Sequence, residues 1–169
     1  MSLILRTPRP EDVAPLTEGA NMPGWRAGTL RLPFTTPELI EQQLFSTSSH
    51  SIVADLHGGA VGMICLMPRR GRQAHMSDMY LGVRDDAAGN GVGRALLAAA
   101  LDLADNWLGL RRIYIEVAAG NDSALRLYES AGFEHEGVLR GDTLTDGRLQ
   151  DSVAMGRMRP APAMLSGGD

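Results

Sequence analysis

Three glycines spaced two apart, Gly89, Gly91 and Gly93, lie directly before a long apolar-periodic segment, with Arg94 following them. Glycine admits the left-handed backbone that turns successive N–H groups outward, and a helix start adds a partial positive charge. The chemistry implied by that combination is the binding of an anion, most simply a diphosphate, with Arg94 supplying a cation. The turn is not a dinucleotide fingerprint. GxGxxG begun at Gly89 needs glycine where Arg94 stands, and begun at Gly91 it needs glycine where Leu96 stands.

Other chemistries are excluded by residue type. The chain contains no lysine, which removes Schiff-base catalysis, a pyridoxal phosphate linkage, a Ser-Lys dyad and the GxxxxGK[ST] phosphate loop. Cys65 is the single cysteine and lies in the apolar run VGMICLMP, so it reads as a packed thiol and not as part of a disulfide or zinc framework. His50, His57, His75 and His135 lack metal-ligand spacing, and no metal is expected. A net charge of −4 and a pI near 5.5 argue against a nucleic-acid partner. The short basic cluster Arg69, Arg70 and Arg72 reads as a solvated turn. No apolar run reaches the length of a bilayer span, and the start MSLILRTPRPEDV has no signal-peptide pattern, so the expected location is the cytoplasm.

The elements that must position the glycine turn follow from periodicity. LILRTP is a first strand and RPEDVAPLTEGAN a first helix, with proline and acids suited to its opening turn. Residues 21–37, rich in Gly, Pro and Thr, predict an irregular surface stretch ahead of the helix TPELIEQQLF. HSIVADL and AVGMICLMP form a hairpin across HGG, and HMSDMYLGV is the next strand. After the glycine turn, Leu96, Leu97, Ala100, Leu101, Ala104 and Leu108 mark the buried face of a long helix. RRIYIEV is a strand and NDSALRLYESAG a capped helix. FEHEGVLRGDTL and RLQDSVAMGRM form a final hairpin across TDGR. A strand–helix–strand passage from His75 to Val117 requires a right-handed parallel crossover between antiparallel hairpins. The fold class is therefore α/β, an α+β mixed sheet of about seven twisted strands with helices on both faces. One domain over residues 1–159 and a Pro/Ala/Gly-rich tail over 160–169 are expected.

Val83, GNGVGRALL, IYIEVAAGN and ALRLYESAGF together resemble the acetyl-CoA-binding region of the GNAT superfamily of N-acetyltransferases, in matching order across about half the chain. One departure stands out: the family signature Gln/Arg-x-x-Gly-x-Gly/Ala meets Ala88 at its first position. The resemblance implies the GNAT acyl-CoA N-acyltransferase fold. Leu81, Gly82 and Val83 would line the pantetheine by main-chain bonds. Gly89, Asn90, Gly91, Val92, Gly93 and Arg94 would hold the pyrophosphate, and Asn121 would contact the cofactor arm. It also implies Tyr128 as proton donor to the coenzyme A sulfur, an amide near Gly82 or Val83 as oxyanion donor, and either Glu116 or Asp78 as general base. Alternation places Asp78 with Met76 and Tyr80, opposite Met79, Leu81 and Val83.

The acceptor is expected to be a small-molecule amine held by NMPGWRAGTLRLPF, with Trp25, Leu32 and Phe34 as apolar contacts, and by the last hairpin. GTLRLPF, RQAHMSDMYLGV, ADNWLGLRRI and TDGRLQDSVAM resemble a bacterial subgroup acting on the α-amino group of free, apolar amino acids. Alternatives are a peptide or ribosomal-protein N-terminal acetyltransferase, a xenobiotic-amine acetyltransferase, and a non-catalytic acyl-CoA-binding regulator. Relatives are commonly homodimers.

Overall fold

The structure, a computed structural model, describes residues 3–161. Its centre is a seven-stranded sheet in the order β1-β2-β3-β4-β5-β7-β6. The strands are β1 (Leu3–Arg6), β2 (His50–Leu56), β3 (Gly59–Pro68), β4 (Met76–Val83), β5 (Arg112–Ala118), β6 (Glu134–Thr145) and β7 (Arg148–Met158). Only β4 and β5 pair in parallel; every other neighbour is antiparallel. The expected α/β architecture with a mixed sheet is thus the one observed. Both hairpin turns are built as their sequences require: His57 and Gly58 have φ of 58° and 86°, Asp146 and Gly147 of 48° and 73°.

Helices cover both faces. On one, α4 (Val92–Asn106) and α5 (Asp122–Ser130) pack over a core that includes Leu96, Leu97, Ala100, Ala104, Ile113, Ile115 and Val117. Each large aliphatic side chain buried there contributes about 1.5–3 kcal/mol. The long helix ends sooner than its apolar pattern: past Asn106 the chain turns through Gly109 at φ 63°, and Trp107 is exposed.

The opposite face carries α1 (Val13–Ala20), α2 (Pro23–Gly28) and α3 (Pro37–Phe45), around Leu16, Ala20, Trp25, Ile40, Leu44, Val53 and Met63. Helix α1 is preceded by a 3-10 turn at Pro10–Asp12. Arg6 locks that turn to the sheet by donating to both Asp12 and Asp55. The expectation of an irregular stretch over residues 21–37 is corrected by α2. Pro23 supplies the fixed φ of a first helical turn, and burial of Trp25, 3% exposed, offsets the cost of ordering two glycines. Thr29 to Thr36 is irregular, as expected. Of the anticipated tail, residues 162–169 lie outside the described residues.

Candidate active site

The glycine turn closes as an anion-binding rim. Gly89 and Gly91 have φ of 79° and 78°, and Gly91 caps α4. The first amide of this helix to find a backbone acceptor is that of Ala95, bonded to Gly91 O at 3.0 Å. Among the described residues, the amides of Gly89, Asn90, Gly91, Val92, Gly93 and Arg94 have no protein acceptor. Donors left open on a glycine loop at a helix start fit a diphosphate. Asn90 spends its side chain on the turn itself, donating to Ala87 O at 3.2 Å. Arg94 is exposed and makes no ion pair among the described residues. Ala88 ends the 3-10 turn Asp85–Ala87 that leads into the rim.

From that rim a gap runs down the sheet. β4 and β5 pair only at Met76, Ser77 and Asp78 with Arg112, Ile113 and Tyr114, so Met79 to Val83 have no partner on that side. The amide of Arg84 donates to Val61 O at 2.8 Å. In an antiparallel ladder this phase turns the main chain of Gly82, Tyr80 and Asp78 toward β3, and that of Met79, Leu81 and Val83 into the gap. The trio expected to line the pantetheine is divided: Leu81 and Val83 present free main-chain groups there, whereas Gly82 faces β3. Gly82 is glycine for another reason, since a Cβ on it would overlap the indole of Trp25.

Tyr128 stands on α5, its ring edge-on to Phe133 at 5.4 Å between centroids. Burial pushes its phenol up to about 12, because ionising it would place a charge in an apolar surround. Among the described residues its hydroxyl has no hydrogen-bond partner. Asn121 caps α5 by accepting from Ala124 N at 3.3 Å, and its amide lies beside Gly28 of α2. Helix α2 therefore bridges the mouth of the gap.

The face opposite α4 gathers the other candidates. Asp78 is 39% exposed at its side chain, and both its oxygens accept from Arg69, at 2.8 and 2.5 Å. Glu116 is exposed and accepts one bond, from Tyr114 Oη at 2.9 Å. Partial burial, then Glu116, raises the Tyr114 phenol to about 12. Because Asp78 pairs in register with Tyr114, the two carboxylates occupy one side of the sheet at the point where the strands part.

Several residues of this layer escaped the sequence reading. Tyr80 Oη accepts from Trp25 Nε1 at 2.5 Å and from Arg31 Nε at 2.6 Å. Arg31 lies over the Tyr80 ring at 4.7 Å and also donates to Gln43. Arg69 and Arg112 flank Tyr114 at 5.7 and 5.9 Å, with Arg112 paired to Glu136. The alternation Met76, Asp78, Tyr80 was the available signal for Tyr80; nothing local marked Arg31. Trp25 is core at the site's edge, while Leu32 and Phe34 project outward, 80% and 91% exposed. His75 contributes its carbonyl, which accepts from the amides of Arg111 and Arg112. Among the described residues no helix is long and apolar enough to cross a membrane.

Comparison with known proteins agrees with this arrangement. The chain is 26% identical over 159 residues to L-amino acid N-acetyltransferase AaaT of Escherichia coli K12, covering 93% of this chain and 98% of that protein. It is 33% identical to spermidine N(1)-acetyltransferase of Vibrio cholerae over 62% of this chain and 60% of that one. A crystal structure of ribosomal-protein-alanine N-acetyltransferase from Brucella melitensis superposes with a TM-score of 0.81 at 26% identity, over 92% of this chain and 99% of that one. The sequence profile of the Acetyltransferase (GNAT) family matches residues 20–133. Open amides at the start of α4, a gap between β4 and β5 and this match lead to one conclusion: the chain belongs to the GNAT family and is an acetyl-CoA-dependent N-acetyltransferase.

Proposed function

We propose that the acceptor is the α-amino group of a free, apolar amino acid. The observation that carries the reading is a guanidinium on the acceptor face with no carboxylate partner among the described residues, that of Arg31. Guanidinium groups of Arg31, Arg69 and Arg112 lie against Tyr80 and Tyr114 beside the gap. Arg69 and Arg112 are paired with Asp78 and Glu136, so Arg31, which has no carboxylate partner among the described residues, is the group that suits an acceptor with an anionic group next to its amine. Similarity to an L-amino acid N-acetyltransferase along nearly its whole length supports the same choice.

Acetyl-CoA, when bound, supplies the acetyl thioester. The open amides from Gly89 to Arg94 would hold its diphosphate, and the gap-facing main chain of Leu81 and Val83 would hold its arm. An amine must lose a proton before it attacks. Glu116 is the base, because its second oxygen is free among the described residues whereas both oxygens of Asp78 are occupied by Arg69. Tyr128 Oη keeps its proton at neutral pH and gives it to the departing sulfur. The amide of Val83 or Leu81 stabilises the charge that develops on the carbonyl oxygen.

A second reading, acetylation of a peptide N-terminus, draws support from the likeness to the Brucella enzyme. Thiol release from acetyl-CoA, measured with free methionine and phenylalanine, short peptides and spermidine, decides between them. Turnover of the free amino acids above the peptides is expected; turnover of peptides alone would replace this reading with the second.

A further inference from the structure

We propose that Arg31 holds the carboxylate of the acceptor amino acid, an inference that rests on the free-amino-acid reading above. Three guanidiniums approach the acceptor face, and two are already neutralised: Arg69 by Asp78 at 2.5 Å and Arg112 by Glu136 at 2.5 Å. Arg31 differs. It is half-buried, and its partners are a phenol and a carboxamide: Nε donates to Tyr80 Oη, and Nη2 donates to Gln43 Oε1. Among the described residues no carboxylate lies within ion-pair distance of it. Nη1 makes no bond there either.

A partly desolvated guanidinium held by neutral groups keeps its full charge for an incoming anion. Stacking on Tyr80 at 4.7 Å, together with the Gln43 bond, fixes the plane of the fork, so little side-chain entropy is lost when a carboxylate docks. Its place is also suitable. Tyr80 ties Arg31 to Trp25, Trp25 rests on Gly82, and Gly82 stands between the gap-facing residues Leu81 and Val83. Gln43, which accepts from Arg31, lines an open groove of about 480 Å³ on the same face together with Ser46, Cys65, Met67, Arg69 and Arg70, so Arg31 borders that space through Gln43.

The test compares the free amino acid that the wild type turns over fastest with its own amide, at saturating acetyl-CoA. The amide keeps the side chain and loses the negative charge, and because that loss also lowers the pKa of its amine, each KM is expressed per unprotonated amine. The wild type is expected to have a KM for the acid about 30-fold below that for the amide, the scale of one charge-assisted contact. In Arg31→Gln the acid's KM rises about 30-fold toward that of the amide, kcat stays within about threefold, and the amide's KM does not move. Arg31→Lys, which keeps the charge but loses the stacked fork, should recover only part of the acid preference. Equal wild-type KM values for acid and amide overturn the proposal without any variant. An acid preference that survives in Arg31→Gln overturns Arg31 alone and leaves the amino-acid reading standing. A wild type that acetylates amides and peptides but no free amino acid overturns that reading, and the role of Arg31 with it.

Discussion

The indole of Trp25 lies against the α-carbon of Gly82, so closely that a methyl group added there would overlap its ring atoms. Through that contact, one strand residue at the gap sets the position of α2 and of the Tyr80 and Arg31 pair behind it.

Gly82→Ala should therefore act on the acceptor side of the site. The ring is buried and cannot swing away freely, so overpacking should cost about 2 kcal/mol and lower Tm by about 4–8 °C. The acceptor KM should rise by about tenfold or more, since each 1.4 kcal/mol lost from the docking surface is tenfold in affinity. Acetyl-CoA affinity should change much less, because the main chain of Gly82 faces β3. Calorimetric binding of acetyl-CoA beside steady-state kinetics separates the two; equal loss of both would mean that Gly82 serves the cofactor directly.

Tyr128→Phe removes one oxygen from a ring whose packing on Phe133 is unaffected. Stability and acetyl-CoA binding should hold, while kcat falls about 10²-fold, the usual scale for a lost general acid. Because burial lifts the phenol to about 12, the wild-type rate should show no basic limb from this group below about pH 10. Unchanged kcat in the variant would remove Tyr128 from the reaction.

Period and turn chemistry made the frame of the site legible in the sequence: the glycine rim, the α4 face, both hairpins and the parallel crossover each depend on local spacing. What escaped depends on distant contacts. Trp25 makes a helix of a Gly/Pro-rich stretch because it has Gly82 to rest on, a partner nearly sixty residues away. Arg31 and Gln43 meet only when α3 docks beside the sheet. Asp78 and Glu116 looked equivalent as carboxylates; only the fold shows that Arg69 occupies both oxygens of Asp78 while Glu116 accepts a single bond from Tyr114.

Gly91→Val tests the rim. Nothing in the protein lies within 4 Å of a Cβ at this position, so the fold has room for the side chain. The left-handed φ of 78° is the obstacle, costing a branched residue about 1–2 kcal/mol or more. A changed φ would turn the neighbouring amides away from their common target. Acetyl-CoA binding should drop at least about 100-fold in a titration, with the far-UV spectrum unchanged. Retained binding would place the diphosphate elsewhere.

Asp12→Asn tests the clasp below α1. Burial, at 2% exposure, pushes this carboxyl up, but hydrogen bonds from Arg6 and the Arg9 amide outweigh it, and the net direction is down. A carboxylate whose folded value lies below its unfolded one adds stability above the unfolded value of about 3.9 and loses it as the pH falls through the folded value. The variant should be about 2 kcal/mol less stable at pH 7, Arg6 keeping Asp55 as a partner. That difference should shrink below about pH 4 in denaturant melts. A gap that stayed constant into acid would show that the contribution of Asp12 is steric and not ionic.

Glu116→Gln and Asp78→Asn should separate the two carboxylates. In Glu116→Gln the bond from Tyr114 can persist, since the amide oxygen still accepts, but no group remains to take the amine's proton. kcat should fall about 10²-fold at pH 7 and recover as the pH approaches the amine's own pKa, where unprotonated acceptor is abundant. Asp78→Asn instead leaves the Arg69 guanidinium without its counter-charge at a half-exposed position. Its effect should appear in the acceptor KM, with no recovery at high pH. A pH–rate profile in which Asp78→Asn, and not Glu116→Gln, is rescued by alkali would exchange the roles of the two residues.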